Sequence, residues 1–303
     1  MRILVTGVGG FIGSAVMRKA RARGWQVTGV ARRPCAEAGL IADLRQPIAA
    51  WPAPEAVVHL AGGYAGSRAG ELAGADLAIA RNLLAWGRRQ GVRRWVLASA
   101  AEVYGVVRGQ ADESWPCRPV IPYGIVKLEV ERMFQAAGFP AVAICRLGEV
   151  YGPGGRIMRE IAGRLLSGFC PWPGDGQVPV SFLHVEDAAE ALLLACERAV
   201  PGCRIYNAGD DEPATWRQFL DAIAVLLGAR RARHLPEPAA RGYAVCASWV
   251  DRLLRRPEAV TPHVLRLLTT PKVLSSARLR EQLGFLPRYP AFLSGLPEAL
   301  AGL

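Results

Sequence analysis

The chain has 303 residues, and 51% of them are hydrophobic, which excludes a disordered protein and supplies enough apolar side chains for a sizeable core. Its seven cysteines are an odd number without paired C-x-x-C spacing, so the sequence predicts neither a disulfide framework nor a metal site. Met1 is followed directly by strand-like residues, and no apolar stretch of about 18 residues occurs. We therefore expect a soluble cytoplasmic protein with no membrane partner.

The charge balance is basic, with 37 Lys and Arg against 26 Asp and Glu, a net charge of +11. Nearly all of the excess is arginine, and the basic residues are scattered along predicted helices without interleaved aromatic residues. This pattern argues against a nucleic-acid partner. A positive field instead favours an anionic small molecule as cofactor or substrate.

The first half alternates short apolar runs with amphipathic stretches, which is typical of βαβ units and a parallel sheet. The runs predict strands at Ile3–Thr6, Gln26–Ala31, Ala56–Leu60, Trp95–Ser99 and Ala141–Leu147. The stretches between them predict helices at Phe11–Arg23, Gly70–Gln90 and Tyr123–Ala137, each followed by a glycine where a helix is expected to end. The predicted fold class is α/β, with a doubly wound parallel sheet.

The second half follows this pattern less closely. Helices are predicted at about Arg156–Leu166, Val185–Ala199, Trp216–Leu227 and Ser276–Gln282, separated by proline-rich connectors. We expect a smaller, mainly helical C-terminal lobe that binds the substrate. The predicted division assigns residues 1–150 and 180–208 to the sheet domain, and residues 151–179 and 209–303 to the substrate lobe.

A glycine-rich turn joins the first predicted strand to the first predicted helix, as a dinucleotide fingerprint requires. Gly7 allows the tight turn, Gly10 lets the backbone approach a pyrophosphate, and Gly13 lets the helix pack closely on the sheet. The phosphates would meet the free N–H groups of the helix N-terminus. The sheet domain is therefore predicted to be a Rossmann domain whose cofactor contacts include Gly7, Gly9, Gly10, Phe11, Ile12 and Gly13.

Further segments resemble, in the same order, the landmarks of the extended short-chain dehydrogenase/reductases, the family of NAD-dependent epimerases and dehydratases. They are T-G-V-G-G-F-I-G at 6–13, H-L-A-G at 59–62, S-A-A-E-V-Y-G at 99–105, Y-G-I-V-K at 123–127, R-L-G-E-V-Y-G-P-G at 146–154 and F-L-H-V-E-D at 182–187. The resemblance covers residues 1–210 and continues more weakly to the C-terminus. It implies a nicotinamide cofactor contacted also by Asp43, Leu44, Leu60, Ala61, Gly62 and Ser99, and we expect a homodimer.

The resemblance assigns proton transfer to Tyr123 and Lys127, which lie at i and i+4 on one helix face. We expect Lys127, together with a positively charged nicotinamide, to lower the pKa of the Tyr123 phenol and to bind the cofactor as well.

Three neighbouring positions depart from the family pattern. Ala100 stands where the family has a catalytic hydroxyl, and Ser99 should point to the opposite face of the strand. Asp76 replaces an asparagine of the family's proton relay. Glu102 is a further catalytic candidate that either exchanges a proton with the substrate or forms a salt bridge. How the substrate carbonyl is polarised therefore stays open.

Two other departures concern the ligands. NAD-dependent relatives have an Asp at the end of the second strand, but Ala31 stands here and is followed by Arg32 and Arg33. Guanidinium groups suit a 2′-phosphate, so NADP is predicted, with NAD as the alternative. Sugar-nucleotide enzymes of the family use an Asn and an Arg for the diphosphate, and these positions are Glu149 and Val180.

The main hypothesis is therefore an NAD(P)-dependent oxidoreductase that reduces a ketone, or oxidises an alcohol, on a small substrate lacking a nucleotide. The alternatives are a sugar-nucleotide epimerase or dehydratase, for which arginines at 156, 159 or 164 would have to compensate, and an inactive dinucleotide-binding sensor or scaffold.

Overall fold

The structure is a computed structural model that describes residues 1–48, 51–63, 69–210, 212–253 and 261–301. Within these ranges the strands are β1 (Arg2–Thr6), β2 (Gln26–Ala31), β3 (Leu40–Ile41), β4 (Ala56–His59), β5 (Arg94–Ala100), β6 (Ala141–Leu147), β7 (Glu149–Tyr151), β8 (Pro171–Pro173), β9 (Pro179–Val180), β10 (Phe182–His184), β11 (Gly202–Ala208), β12 (Ala214–Thr215) and β13 (Arg233–Leu235). The helices are α1 (Phe11–Ala22), α2 (Ala69–Arg89), α3 (Pro122–Gln135), α4 (Arg156–Leu166), α5 (Val185–Glu197), α6 (Trp216–Leu226), α7 (Glu237–Leu253), α8 (Pro262–Leu268), α9 (Ala277–Leu283) and α10 (Phe292–Leu300).

Seven of these strands form one parallel sheet in the order β11-β6-β5-β4-β1-β2-β3. The chain builds outward from β1 in one direction and then from β4 in the other. Neighbouring connections therefore diverge above β1 and β4 and leave a crevice at the carboxyl ends of these strands. The predicted doubly wound parallel sheet is confirmed.

Side chains alternate between the two faces of the sheet, as the strand period requires. Ile3 and Val5 pack under α1 and α5, whereas Leu4 faces α2 and α3 together with Trp86 and Trp95. Both faces are buried, which explains why these strands are continuous apolar runs in the sequence.

The helix that carries the predicted acid–base pair is tied to the sheet by a buried polar network. Glu131 of α3 accepts hydrogen bonds from the Arg146 guanidinium of β6, at 2.6 and 3.0 Å, and from the Ser99 hydroxyl of β5. Glu131 and Arg146 are at most 3% exposed. Because a buried charge without its partner is costly, this network fixes α3 over the ends of β5 and β6.

In the smaller lobe, α4, α6 and α10 surround an aromatic core that includes Trp216, Phe219 and Phe182. Short two-stranded sheets, β8–β13 and β9–β12, supplement the helices. These two- and three-residue strands are too short to show a hydrophobic period, so the sequence did not predict them.

One part of the predicted lobe packs elsewhere. Leu279 and Leu283 of α9, and Phe285 after it, join the core formed by α1 and α5 rather than the aromatic core. The predicted division placed all of 209–303 in the substrate lobe, but in the structure residues 279–285 complete the sheet domain.

Candidate active site

The turn between β1 and α1 is shaped so that little besides glycine fits. Gly7 has a φ of +76°, and a Cβ on it would lie 2.7 Å from the Ala61 nitrogen. A Cβ on Gly13 would overlap the Gly7 carbonyl oxygen and lie 2.9 Å from its carbon. The N-terminus of α1 has no side-chain cap and no acidic residue in its first turn. Its N–H groups are therefore open to an anion such as a pyrophosphate.

The other predicted cofactor residues surround this turn. Leu60 lines the same cavity as Gly7, Gly10, Phe11, Ile12 and Gly13, whereas Gly9, Ala61 and Gly62 lie outside the cavity lining. A Cβ on Gly62 would lie 2.8 Å from an Asp76 carboxylate oxygen and 3.0 Å from the Lys127 Nζ atom. Glycine at this position therefore lets the backbone pass close to both side chains.

Two segments that were predicted to bind the cofactor lie beside the glycine turn rather than in the cavity lining. Arg32 and Arg33 are exposed directly after β2. Hydrogen bonds from Arg45 lower the pKa of the Asp43 carboxyl to about 2, so Asp43 is an ion-paired carboxylate at neutral pH. The Leu44 side chain is buried beneath the sheet, and its carbonyl accepts a hydrogen bond from Asn82.

Tyr123 and Lys127 occupy successive turns of α3 and both line the cavity. The Lys127 ammonium lies 5.5 Å from the centre of the Tyr123 ring and 3.5 Å from an Asp76 carboxylate oxygen. The second Asp76 oxygen accepts a hydrogen bond from the Gly63 N–H at 2.8 Å. Asp76 therefore compensates the charge of Lys127.

The expected lowering of the Tyr123 pKa does not occur in this chain. Burial raises the pKa of the phenol above its ordinary value, and Glu102, Asp76 and Glu149 raise it further. The main physical reason is burial of the phenol. The ion pair between Asp76 and Lys127 is in keeping with this, because a lysine whose charge is compensated stabilises a neighbouring phenolate weakly. Tyr123 is a neutral phenol at neutral pH.

A buried cluster of charges lies beside this pair. The Lys272 ammonium donates hydrogen bonds to Oε1 of Glu102, at 2.5 Å, and to Oε1 of Glu149. The Lys272 side chain is 2% exposed, and the carboxylates are 10% and 12% exposed. Glu102 therefore forms the salt bridge that was one of its two predicted roles. Sequence reasoning missed Lys272, which belongs to no motif, although it is one of only three lysines in the chain.

Ser99 and Ala100 end β5 at the edge of the cavity. The Ser99 hydroxyl donates to Glu131 behind the strand, as its expected orientation required. Ala100 presents only a methyl group to the cavity, so the end of this strand offers no hydroxyl to a substrate.

The cavity has a volume of about 440 Å³ and extends from the glycine turn into the smaller lobe. Its far wall is mainly apolar, with Ile157, Ile161, Trp172, Leu235, Val264 and Leu268. Arg156, Glu160 and Arg164 follow one face of α4 along the same wall, and Arg156 donates to Glu160 at 2.6 Å. The cavity thus has a charged end beside Tyr123 and an apolar end in the lobe.

Within the described ranges, no group of three His, Cys, Asp or Glu side chains is arranged to hold a metal ion. In the same ranges, no helix combines the length and the apolar character needed to span a bilayer.

Residues 3–209 match the model of the NAD dependent epimerase/dehydratase family. The chain belongs to that family. A 3-diazoavenalumate denitrifying reductase of a Streptomyces species is 31% identical over 98% of this chain and 99% of the relative. A 2-alkyl-3-oxoalkanoate reductase of Stenotrophomonas maltophilia is 28% identical over 95% of each chain.

Among solved structures, the UDP-glucose 4-epimerase of Thermus thermophilus in complex with NAD superposes with a TM-score of 0.77, at 27% identity, over 99% of this chain and 98% of that one. The predicted family is thereby confirmed. The prediction that the chain is an NAD(P)-dependent oxidoreductase of the epimerase/dehydratase family is confirmed as well. The glycine turn and the free N-terminus of α1 fit the dinucleotide that the family name implies.

A glycine-to-alanine pair tests whether this turn of the epimerase/dehydratase family member holds the dinucleotide. Gly13→Ala should weaken binding because the new methyl group must displace the Gly7 carbonyl, at a cost of about 1–3 kcal/mol. This corresponds to about a 5- to 150-fold rise in the dissociation constant for NADPH. Gly74→Ala is the control, since Gly74 lies on α2 away from the turn and its Cβ would meet nothing within 4 Å. Calorimetric titration with NADPH measures both, and equal affinities would contradict this placement of the pyrophosphate.

Proposed function

We propose that this chain is an NADPH-dependent ketone reductase whose substrate carries an apolar portion and no nucleotide. The observation that carries the proposal is the charge balance around Tyr123. Three carboxylates, Asp76, Glu102 and Glu149, meet two ammonium groups, Lys127 and Lys272. The site is buried and holds more carboxyl groups than ammonium groups, and both features keep the phenol protonated.

A protonated phenol suits reduction rather than oxidation. Tyr123 gives its proton to the carbonyl oxygen, and a bound nicotinamide would provide the hydride for the carbonyl carbon, so that ketone, hydride and proton balance to an alcohol. Oxidation of an alcohol needs the phenolate as a base. Because a raised pKa keeps the phenol protonated to higher pH, oxidation should require alkaline conditions, whereas reduction proceeds at neutral pH.

Lys127 and Asp76 support this proton transfer from α3 and α2. The ammonium of Lys127 lies beside the phenol ring and is held by Asp76, so it orients the tyrosine. After each turnover Lys127 gives a proton to the tyrosine phenolate and takes one up from water. Lys127 is also placed to bind the cofactor, since the backbone of Gly62 and Gly63 passes close by.

The rest of the cavity supports a substrate without a diphosphate. At the position of the family's asparagine, Glu149 is a carboxyl group bound to Lys272 and has no amide N–H to donate to a diphosphate. Val180 is fully buried in β9 and offers no cation. Each charged hydrogen bond lost in this way is worth about 1.5–3 kcal/mol. The apolar wall in the smaller lobe favours an alkyl or ring substituent, and the name of the Stenotrophomonas relative, a 3-oxoalkanoate reductase, agrees with ketone reduction.

The cofactor preference rests on Arg32 and Arg33. Both are exposed beside the glycine turn, at the end of β2, where Ala31 leaves no carboxylate to accept a ribose hydroxyl. We therefore propose NADPH over NADH. The cytoplasmic location and the homodimer stay predictions from the sequence.

A sugar-nucleotide substrate is the runner-up. Arg156 and Arg164 line the cavity on α4, where guanidinium groups would suit a diphosphate, and the superposed Thermus enzyme is a UDP-glucose epimerase. The substrate panel below therefore includes sugar nucleotides. The Tyr123–Lys127 pair, in place on one face of α3, argues against an inactive sensor or scaffold.

Replacing both arginines tests the cofactor. The double variant Arg32→Ala/Arg33→Ala should bind NADPH about 10-fold or more weakly, because charge-assisted hydrogen bonds to the 2′-phosphate are lost, while NADH binding changes little. Calorimetric titration of both nucleotides against both proteins measures this. Equal affinity of the unaltered chain for the two nucleotides would refute the preference for NADPH.

A substrate panel tests the reaction itself. Alkyl 3-oxo esters, cyclic ketones and UDP-, GDP- and dTDP-sugars are incubated with the chain and NADPH, and nicotinamide absorbance is followed. Calorimetric titration with each sugar nucleotide measures its binding. We expect oxidation of NADPH with apolar ketones and no detectable binding of the sugar nucleotides. Micromolar affinity for a sugar nucleotide would overturn the proposed substrate class.

The same assay separates the roles of the two α3 residues. Tyr123→Phe should lower the rate of hydride transfer in a single turnover by about 10²–10⁴-fold, because the proton donor is lost, and should leave NADPH affinity nearly unchanged. Lys127→Ala should damage both. Undiminished hydride transfer in Tyr123→Phe would rule out the proposed chemistry.

A further inference from the structure

The reduction of a ketone develops negative charge on its oxygen, and enzymes stabilise such an oxygen with more than one hydrogen-bond donor. Tyr123 provides one. Among the described residues that line the cavity, the other hydroxyl groups belong to Ser99 and Tyr243. The Ser99 hydroxyl is directed at Glu131, Tyr243 lies on α7 in the smaller lobe, and Ala100 has no hydroxyl. A second donor must come from another chemical group.

Two carboxyl groups of the charged cluster stand close to Ala100 in the sheet. Ala100 of β5 pairs with Leu147 of β6, and two residues beyond each of them stand Glu102 and Glu149. The two carboxyl groups therefore lie at the same edge of the sheet, beyond the carboxyl ends of adjacent strands. Both line the cavity together with Tyr123.

Lys272 holds the two carboxyl groups from behind. Its ammonium contacts Oε1 of each and is not part of the cavity lining. Its backbone is fixed on both sides, since its N–H donates to Pro179 at 3.0 Å and its carbonyl accepts from Ser181 at 2.9 Å. The remaining oxygen of each carboxyl, Oε2, does not bind Lys272.

The net charge of this cluster favours the uptake of a proton. Two ionised carboxylates and one ammonium leave a net charge of −1 in a buried cluster. The nearby pair of Asp76 and Lys127 is neutral by itself and does not compensate it. Burying an uncompensated charge is costly, and uptake of one proton removes it. Burial raises the pKa of Glu149, Glu102 raises it further, and Lys272 acts in the opposite direction.

We propose that Glu149, as a neutral carboxylic acid held by Lys272, donates the hydrogen bond to the substrate oxygen that a hydroxyl at position 100 would otherwise give. Glu102 is the second carboxyl group that Lys272 holds. Glu149 keeps its proton during the reaction, because Tyr123 supplies the one that the alcohol gains. Lys272 is a positioning residue. This inference rests on the proposed reductase function.

The protonation of Glu149 is measured without a substrate. The chain is labelled with ¹³C-glutamate, saturated with NADPH, and its side-chain carboxyl signals are followed by NMR between acidic and alkaline pH. We expect one buried glutamate signal to remain protonated at neutral pH and to be absent from the spectrum of Glu149→Gln. A Glu149 signal that is ionised at neutral pH overturns the proposal.

Turnover of a ketone identified by the panel tests the donor role. Glu149→Gln keeps an N–H donor, so its kcat for reduction should stay within about 10-fold of the unaltered chain and lose its decline at alkaline pH. Glu149→Leu removes the donor at similar volume and should lower kcat by about 10²–10³-fold with NADPH affinity unchanged. Equal kcat values in the Gln and Leu variants would overturn the proposal.

Asp210→Asn is the matched control. Burial raises the pKa of the Asp210 carboxyl to about 8, but this residue is not part of the cavity lining. Its replacement should leave the pH dependence of kcat unchanged, whereas a general effect of buried carboxyl groups would alter it in both variants and overturn the assignment to Glu149. If no ketone is reduced by any variant, the proposed function fails, and the NMR titration still decides the state of Glu149.

Discussion

The active site depends on one constraint, which is the burial of charged groups whose signs do not fully cancel. Asp76 neutralises Lys127, so the lysine beside the phenol loses most of its influence on it. Lys272 holds two carboxyl groups and leaves one negative charge in excess. In a medium of low polarity such an excess is relieved by retaining protons, on Tyr123 and on the carboxyl cluster. A site that retains protons is suited to donating them, and this is what a ketone reductase needs.

The sheet places these groups together although they are far apart in the chain. The doubly wound order brings the carboxyl ends of β1, β4, β5 and β6 to one crevice. The buried network of Glu131, Arg146 and Ser99 then fixes α3 across that crevice. The same network occupies the Ser99 hydroxyl, so the residue that stabilises the fold is not available for chemistry. Ala100 has no hydroxyl group, and the hydroxyl of the adjacent Ser99 is already bound to Glu131.

The sequence predicted the parts that follow from local patterns. The parallel strands, the glycine turn, and the pair Tyr123 and Lys127 each have a period or a spacing that physical rules connect to structure. The replacement of the family's asparagine by Glu149 was also visible. What the sequence did not reveal was the role of Lys272, which reaches Glu102 and Glu149 across 170 and 123 positions. It likewise could not show how deeply Tyr123 is buried or that Asp76 compensates Lys127, so the expected direction of the Tyr123 pKa differs from the structure. The short strands of the smaller lobe and the packing of α9 were missed because tertiary contacts, rather than local pattern, determine them.

Burial among carboxyl groups keeps Tyr123 a neutral phenol. Titration of the NADPH complex labelled with ¹³C at the tyrosine ζ carbons tests it most directly, with the Tyr123 signal identified by its absence in Tyr123→Phe. We expect this signal to stay in its protonated position beyond about pH 10, the ordinary pKa of tyrosine. Ionisation of Tyr123 below about pH 8 would contradict it.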